Sequence, residues 1–374
     1  MKRILFAGML VVLGGCKVDE PGSVSVGTAG DPPDNPVPYV YEPPEEIGDG
    51  WQTGSLKHAG IDENRIVDLA DTIRDGAFAE VDSILIARGG KLVFELYPGE
   101  YDRDDRHEVR SVSKSVVSML AGIAIYNGFI PDVRQKVLPL FPEYAPYGEW
   151  DDRKNDITVE HLLTMSTGLD CDDTDGESQG REVYMFASDD WVRHFIELPM
   201  LRDPGAEFHY CAGSVVALAG VIEKYTGQKN HEFARTYLFE PLGIDSYNWT
   251  LGPQGKLHPN GLSLRPRDML KLGQLMLDGS WNGRTMLSMD WIEQSTAHQV
   301  TDAAGDTAGY LWWRTELEVD GNPEDVFFAH GAGGQSIIVI PSHETVIVLT
   351  ARNFRGRALR YGEAVVSQYI APAL

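Results

Sequence analysis

Residues Arg110 to Tyr126 read R-S-V-S-K-S-V-V-S-M-L-A-G-I-A-I-Y, and the architecture of the chain depends on this segment. Apolar residues occur almost all the way round a helical projection of it, so no wide polar face remains. A helix that is apolar on every side is typical of a protein core rather than of a surface. We therefore expect a buried helix here, with the rest of the chain packed around it.

Ser111 and Lys114 stand at the start of this helix, three residues apart, so their side chains share one face of its first turn. Burial disfavours the charged form of a lysine, which makes Lys114 a candidate base for the Ser111 hydroxyl. An amide in the first turn lacks an intrahelical acceptor, so the N–H of Ser111 is free to bind an oxyanion. The alternative is that Ser111 only caps the helix and Lys114 is solvated.

The composition limits the classes of partner. The chain has 374 residues, of which 43% are hydrophobic and 24% charged, and it can hold one large globular domain or two ordinary ones. Its 32 basic and 56 acidic residues give a net charge of −24. This charge excludes binding of nucleic acid, or of an anionic membrane surface, through charge alone.

The N-terminus has the pattern of an export signal. Met1-Lys2-Arg3 is basic, Ile4 to Leu13 is apolar but short for a bilayer span, and Leu13-Gly14-Gly15-Cys16 follows. This arrangement resembles a bacterial lipoprotein signal, which is cut before a cysteine that is then acylated. We therefore predict a signal peptide at residues 1–16 and a lipid anchor at Cys16, in the cell envelope facing the periplasm. The alternative is an ordinary secretory signal with an incidental cysteine.

Residue 17 is a lysine, and the absence of an acidic residue there favours the outer membrane over the inner. Residues 17–50 contain seven prolines and almost no large aliphatic side chains. Such a segment cannot bury enough apolar surface to fold, so we predict a disordered tether. Compact structure is expected from about Trp51, giving a domain at residues 51–374.

In an oxidising compartment Cys171 and Cys211 are either a disulfide or two buried thiols.

Strand and helix patterns divide the predicted domain in two. Residues 51–120 and 288–374 are rich in short β-branched runs and include a predicted hairpin about Gly89-Gly90. Residues 121–287 have the pattern of helices and loops. We therefore predict an α/β fold of the α+β type, with an antiparallel sheet built from both chain ends and flanked by helices. An all-helical subdomain is inserted into it, and the site is expected in the groove between the two parts.

Two further motifs follow the Ser111 helix along the chain. Phe208 to Ser214 reads F-H-Y-C-A-G-S and places Tyr210 on a loop that enters a helix. Ala329 to Gln335 reads A-H-G-A-G-G-Q and leads into an apolar strand. Glycines before a strand mark a turn or bulge, or a place where the backbone approaches a ligand closely.

Together, S-V-S-K at Ser111, the Tyr210 loop and the glycine-rich entry to a late strand resemble the serine β-lactamase-like, penicillin-recognising superfamily in kind and order. Met165 to Leu169 and Glu240 to Ile244 also resemble its connecting segments. The greatest likeness is to the branch that contains carboxylesterases and 6-aminohexanoate-dimer hydrolase, with G-A-G-G-Q in place of a lysine-containing K-T-G. The resemblance covers the chain from about Trp51 to its end.

The resemblance implies a role for each matching residue. Ser111 would be the nucleophile that forms an acyl-enzyme, Lys114 its base, and Tyr210 the proton relay to the leaving group. Gly331 matches the glycine of the third motif, so the amide of Ala332 would join that of Ser111 in the oxyanion hole. The family uses no metal or organic cofactor for this chemistry, and the histidines of the chain show no spacing typical of a metal site.

Two departures from the family pattern concern substrate recognition. Ala212 replaces the asparagine of the Tyr-x-Asn form, and Ala329 replaces the lysine of the third motif. That lysine helps to hold the carboxylate of β-lactams and peptidoglycan peptides, and a neutral residue removes the contact. His330 takes the place of that lysine only if the third motif is aligned with this sequence one residue later. The other candidates for substrate contact are Gly331, Gly333, Asn260 and Trp313, with core packing as the alternative for Trp313.

The sequence thus predicts a serine hydrolase that acts on a small ester or amide. One alternative is a β-lactam-hydrolysing or peptidoglycan-trimming enzyme with the same machinery. Another is a catalytically silent binding or envelope lipoprotein that keeps the fold.

Overall fold

The computed structural model describes residues 38–78, 80–144, 150–319, 321–354, 362 and 364–374. The predicted signal peptide, Cys16 and most of the predicted tether lie outside these residues and stay predictions. Within the described ranges, no helix has both the length and the apolarity that a bilayer crossing requires.

The strands are β1 (Gln52–Thr53), β2 (Val81–Arg88), β3 (Lys91–Leu96), β4 (His107–Glu108), β5 (Tyr247–Leu251), β6 (Leu257–Leu264), β7 (Ser280–Trp281), β8 (Arg284–Thr285), β9 (Val300–Thr301), β10 (Thr307–Ala308), β11 (Trp313–Val319), β12 (Asn322–Gly331), β13 (Gln335–Ile340) and β14 (Thr345–Ala351). The α-helices are α1 (Glu63–Arg74), α2 (Val112–Tyr126), α3 (Val159–Leu163), α4 (Glu182–Phe186), α5 (Trp191–Glu197), α6 (Ala212–Thr226), α7 (Asn230–Ala234), α8 (Pro266–Asp278) and α9 (Met289–Thr296). A further helical segment, Val366–Ile370, lies near the C-terminus.

One large sheet contains both ends of the chain. Its strand order in the described residues is β1-β3-β2-β14-β13-β12-β11-β10-β9. Every neighbouring pair is antiparallel except β1 and β3. The two ends meet where β2 pairs with β14, with Leu85 opposite Val348. The predicted antiparallel sheet from both chain ends is therefore confirmed.

The β2–β3 hairpin shows why local sequence sets this part of the fold. Gly89 and Gly90 both have positive φ, 57° and 72°, between the two strands. Two successive positive φ angles form the tight turn whose twist matches that of paired strands, and glycine adopts them without a steric penalty. The hairpin predicted about these glycines is confirmed by the antiparallel pairing of β2 with β3.

The two faces of the sheet are covered by different helices. On one face lie α2 and α8, and every residue from Val112 to Ala124 of α2 is buried. This burial agrees with the all-round apolar pattern of the segment. On the other face, α1 and the C-terminal segment Val366–Ile370 cover a second apolar cluster. The polar start of α2 emerges beside β12, where the large sheet meets the helical part of the chain.

The inserted part is not purely helical, which corrects the prediction for residues 121–287. β5 and β6 pair within it, and β4 joins them in a separate three-stranded sheet. β6 contains His258-Pro259-Asn260-Gly261, and its register with β5 shifts at this point. Proline and glycine weaken the sequence signal of a strand, and both are tolerated at an irregularity in the pairing. Tertiary pairing decides the conformation here.

Residues 38–50 pack onto the body of the protein, although the sequence placed them in the tether. The amide of Tyr39 donates to Asp71 Oδ1 at 2.7 Å, and the Tyr41 hydroxyl donates to the Val93 carbonyl at 2.8 Å. Arg267 also reaches this segment, with its Nη1 donating to Asp49 Oδ2 at 3.2 Å. A few aromatic and charged anchors hold a proline-rich segment that lacks an aliphatic core of its own.

Candidate active site

Ser111 and Lys114 meet at the start of α2. Ser111 immediately precedes the helix, and Lys114 lies in its first turn with only 3% of its surface exposed. Lys114 Nζ donates to Ser111 Oγ at 3.1 Å. The i, i+3 spacing and the burial of α2 together create this contact, because the helix fixes both side chains on one face at the rim of the core.

Asn260 of β6 completes a group of three polar side chains. Its Oδ1 lies 3.3 Å from Ser111 Oγ and also accepts a short hydrogen bond from Lys114 Nζ. β6 is attached to the helix directly, because the amide of Leu262 donates to Ser113 Oγ at 3.2 Å. The small sheet that the sequence did not predict therefore brings Asn260 to the serine and the lysine.

Tyr210 faces the same group from a loop that is fixed at several points. Cys211 is bonded to Cys171 in a disulfide with a Cα–Cα distance of 5.5 Å. The amide of the neighbouring His209 donates to the Met165 carbonyl at 3.0 Å. The Tyr210 ring centroid lies 5.3 Å from Lys114 Nζ and 6.4 Å from the Trp313 ring, to which it is nearly parallel.

An apolar cavity opens beside Ser111. Its wall consists of Ser111, Lys114, Ser115, Leu163, Met165, Phe208, Tyr210, Ala308, Gly309, Leu311, Trp313 and His330. Trp313 is half-buried and lies in this wall, so its ring is available to a ligand as well as to its neighbours. An acyl group attached to Ser111 would find mostly aromatic and aliphatic surface around it.

Three wall or rim residues adopt strained backbone conformations. Arg110, Met165 and Leu311 have φ angles of 52°, 50° and 61°, a region that bulky residues rarely occupy. Each costs about 1 kcal/mol or more and persists only where the surroundings enforce it. Such residues cluster at functional sites, and here they flank Ser111 and its cavity.

Gly331 lets the end of β12 approach Ser111 closely. A Cβ at this position would lie 2.3 Å from the Val109 carbonyl and 3.1 Å from the Ser111 amide nitrogen. Ala332 follows as an exposed residue of the turn between β12 and β13. In the described residues the amide of Ser111 has no hydrogen-bond acceptor. Gly333, unlike Gly331, is bonded to the segment after β14, because its carbonyl accepts from the Asn353 amide at 3.0 Å.

His330 contributes to the cavity wall, but its ring is engaged elsewhere. Its Nδ1 lies 3.3 Å from Oγ of Ser336, the residue opposite it on β13. A Cβ on Gly362 would lie 3.2 Å from that same Oγ, which places Ser336 toward the C-terminal segment. Ala329 belongs instead to the core on the α2 side, as alternation along a strand requires. Burial lowers the pKa of His330 to about 4.

Two carboxylates that the sequence analysis did not single out lie close to the site. Asn260 Nδ2 donates to Glu182 Oε2 at 2.8 Å. Asp173 accepts from the Glu182 amide at 2.6 Å and from the Ala212 amide at 2.7 Å, so it joins the starts of α4 and α6. Burial, followed by the nearby Glu182 carboxylate, raises the pKa of Asp173 to about 6. Among 56 acidic residues, a single glutamate in an acidic loop carries no sequence signal.

Comparison with known proteins places the chain in a family. The beta-lactamase family model matches residues 69–367. These residues include the whole of the Ser111 group, its cavity and most of the large sheet. The chain therefore belongs to the beta-lactamase family.

Individual relatives span several activities. The chain is 28% identical over 307 residues to the 6-aminohexanoate-dimer hydrolase of Paenarthrobacter ureafaciens, covering 76% of this chain and 75% of that protein. A family VIII carboxylesterase superposes with a TM-score of 0.67 at 16% identity, covering 82% of this chain and 96% of the other. A penicillin-binding protein homologue from Caulobacter crescentus gives a TM-score of 0.60 at 17% identity, covering 78% and 93%. At these identities the two structures show the shared fold.

Proposed function

We propose that this protein is a serine hydrolase that forms a covalent acyl-enzyme on a small ester or amide. The observation that carries the proposal is the 3.1 Å contact between Lys114 Nζ and Ser111 Oγ at the mouth of a buried helix, beside an apolar cavity. A nucleophile needs a base within hydrogen-bond reach, and this pair meets that requirement.

In the proposed acylation, Ser111 Oγ attacks the carbonyl carbon of the substrate and its proton passes to Nζ of Lys114, a step that requires this amine to be uncharged. The oxyanion that forms accepts hydrogen bonds from the amides of Ser111 and Ala332. The Ser111 amide lacks another acceptor in the described residues. Because Gly331 has no side chain, the backbone at the end of β12 can lie close to Ser111. Two fixed donors at a developing charge supply much of the rate enhancement in acyl transfer.

Tyr210 is the proposed relay in the second half of acylation. It passes the proton from Lys114 to the leaving alcohol or amine as the carbonyl–heteroatom bond breaks. A water molecule then attacks the carbonyl carbon of the acyl-enzyme and gives a proton to the same groups. The bond from that carbon to Ser111 Oγ breaks, the carboxylic acid leaves, and the proton returns to Oγ. The proximity of the Tyr210 ring to Lys114 Nζ, 5.3 Å from the centroid, supports this role.

The residues of the cavity wall favour a substrate whose acyl group is uncharged. Within the described wall, Lys114 is the one lysine or arginine, and the His330 ring is turned toward Ser336. A substrate carboxylate would therefore lack the charge-assisted contact that a third-motif lysine provides. The carboxylesterase and 6-aminohexanoate-dimer hydrolase relatives agree with an ester or amide substrate.

Hydrolysis of β-lactams or trimming of peptidoglycan is the second candidate, and the family match favours it. A substrate panel separates the two. Purified protein would be assayed with p-nitrophenyl acetate, a linear amide and the β-lactam nitrocefin. We expect turnover of the ester or the amide to exceed that of nitrocefin. A higher kcat/KM for nitrocefin would establish the second candidate instead.

The central prediction concerns the nucleophile. Ser111→Ala removes the attacking hydroxyl and should lower kcat by roughly a thousandfold or more, with unchanged thermal stability. Ser118→Ala is the matched control, because Ser118 lies buried on the same helix and its hydroxyl has no partner among the described residues. The control should retain wild-type kcat.

A fluorophosphonate probe tests the same proposal without knowledge of the substrate. It should label the wild type and Ser118→Ala, but not Ser111→Ala. Labelling that persists in Ser111→Ala would contradict the assignment of the nucleophile. A wild type that neither reacts with the probe nor turns over any substrate of the panel would indicate a silent binding protein with this fold.

A further inference from the structure

A chain of hydrogen bonds leads away from the proposed nucleophile to a side chain with no assigned role. Ser111 Oγ and Lys114 Nζ both contact Asn260 Oδ1, and the other end of the same amide, Nδ2, donates to Glu182 Oε2 at 2.8 Å. We propose that Glu182 is a positioning residue that orients the Asn260 amide and, through it, the Ser111–Lys114 pair. The inference rests on the proposed serine mechanism.

The argument begins with the two ends of an asparagine amide, which differ chemically although their shapes are nearly the same. The oxygen only accepts hydrogen bonds and the nitrogen only donates them. An ionised carboxylate only accepts, so Glu182 binds the NH₂ end of Asn260 and rejects the oxygen. With Glu182 in place, the oxygen must face Lys114. Without it, the amide can turn over and present its own N–H groups to the lysine.

The orientation matters because of what Lys114 has to do. A neutral amine has two N–H bonds and one lone pair. To receive the proton, the lone pair must point at the Ser111 hydroxyl, which reverses the direction of the hydrogen bond that Nζ donates to Oγ in the structure. Donation of one N–H to Asn260 Oδ1 fixes the rotation of the amine about its last bond. A turned amide would replace this acceptor with a donor, and Lys114 would lose its alignment with Ser111.

Glu182 is itself held on a rigid support. Its amide donates to Asp173 Oδ1 at 2.6 Å, and the other oxygen of Asp173 accepts from the first amide of α6 at 2.7 Å. The same loop is bound to the Tyr210 segment by the disulfide between Cys171 and Cys211. A positioning residue needs such support, because misplacement of reacting groups by about 1 Å can cost a hundredfold in rate.

The test compares two substitutions at Glu182 with a control in the same loop. Glu182→Ala leaves Asn260 free to turn, and should lower kcat for p-nitrophenyl acetate by roughly tenfold to a hundredfold with little change in KM. Glu182→Gln can still accept from Asn260 through its amide oxygen, but its NH₂ group can also bind a turned Asn260, so it should recover only part of that loss. Glu177→Gln, at an exposed acidic position of the loop, should match the wild type.

A double variant separates positioning from an independent contribution. If Glu182 acts through Asn260, then Glu182→Ala combined with Asn260→Ala should have the same kcat as Asn260→Ala alone. Losses that multiply would overturn the proposal. So would a Glu182→Ala variant with normal kcat and a raised KM, since that result would assign Glu182 to substrate binding. Equal damage from Gln and Ala would also overturn it.

The rate of fluorophosphonate labelling distinguishes failure of this inference from failure of the proposed function. If the wild type is labelled at Ser111 and Glu182→Ala is labelled equally fast, the serine mechanism stands and the role of Glu182 is refuted. If the wild type is not labelled at Ser111, both proposals fail together. The melting temperature of each variant should match that of the wild type, which would show that a lower rate does not come from misfolding.

Discussion

At Gly331 an added side chain would meet fixed backbone atoms beside Ser111. A Cβ added here would lie 2.3 Å from the Val109 carbonyl oxygen and 3.1 Å from the Ser111 amide nitrogen. Both neighbours are backbone atoms that cannot rotate away. The absence of a side chain here therefore sets the distance between the end of β12 and the start of α2.

Gly331→Ala should lower kcat/KM by roughly tenfold or more, because either β12 or α2 must move away and the proposed oxyanion donors separate. The overpacking should also destabilise the fold by about 1–3 kcal/mol. Steady-state kinetics with p-nitrophenyl acetate and urea unfolding measure the two effects. Gly176→Ala, where an added Cβ meets nothing within 4 Å, is the control. Wild-type kinetics in Gly331→Ala would contradict the role given to this close approach.

Among the elements, the loop that carries Tyr210 and the loop that leads into α4 are joined to each other at several points. The disulfide between Cys171 and Cys211 links them covalently, and Asp173 accepts from the first amides of both α4 and α6. The backbone amide of Asp173 also donates to the Tyr210 carbonyl at 2.8 Å. These contacts tie the two sides of the proposed site together.

Removal of this disulfide tests its contribution to stability. The two cysteines are 40 residues apart, and closing a loop of that length restricts the unfolded chain by about 4 kcal/mol in the chain-entropy model. The Cys171→Ala/Cys211→Ala variant should therefore have a free energy of unfolding lower by about that amount. Urea unfolding with and without a reductant measures it. The reductant should destabilise the wild type and leave the variant unchanged, and a variant as stable as the oxidised wild type would refute the estimate.

The sequence predicted those elements whose conformation is decided locally. The all-round apolar pattern of α2 and the two glycines between β2 and β3 are sufficient signals, because helix burial and a tight turn depend on nearby residues. β6 could not be predicted, since Pro259 and Gly261 argue against a strand and only pairing with β4 and β5 overrides them. The same limit applies to the site, where Ser111 and Lys114 are neighbours in sequence but Glu182 joins them only through Asn260.

For the molecule as a whole, the buried His107 and the half-buried His330 link stability to pH. Burial lowers the pKa of His107 and of His330 to about 4, from about 6.5 in an unfolded chain. The unfolded state therefore binds more protons between these values. Their contribution to stability is complete above pH of about 6.5 and declines as the pH falls toward 4. Asp173 acts in the opposite sense, because its raised pKa makes the folded state bind more protons between about 4 and 6.

The variant His330→Gln isolates one of these contributions. A single titrating histidine contributes a slope of about 1.4 kcal/mol per pH unit. The loss of unfolding free energy between pH of about 6 and 4.5 should thus be shallower in His330→Gln than in the wild type by up to that slope. Urea unfolding at a series of pH values measures the difference, and comparison of the two proteins cancels the effect of Asp173. Parallel curves would show that His330 does not titrate as described.

Because β2 pairs with β14, the centre of the large sheet can form only after β14 has been synthesised. A ribosome releases β2 long before it has translated β14, so the middle of the sheet stays open until β14 has been made. During that interval β2 exposes apolar residues and unpaired backbone groups that invite aggregation. We therefore expect β2 to need cover, from a chaperone or from the helices translated between the two strands, until β14 is available.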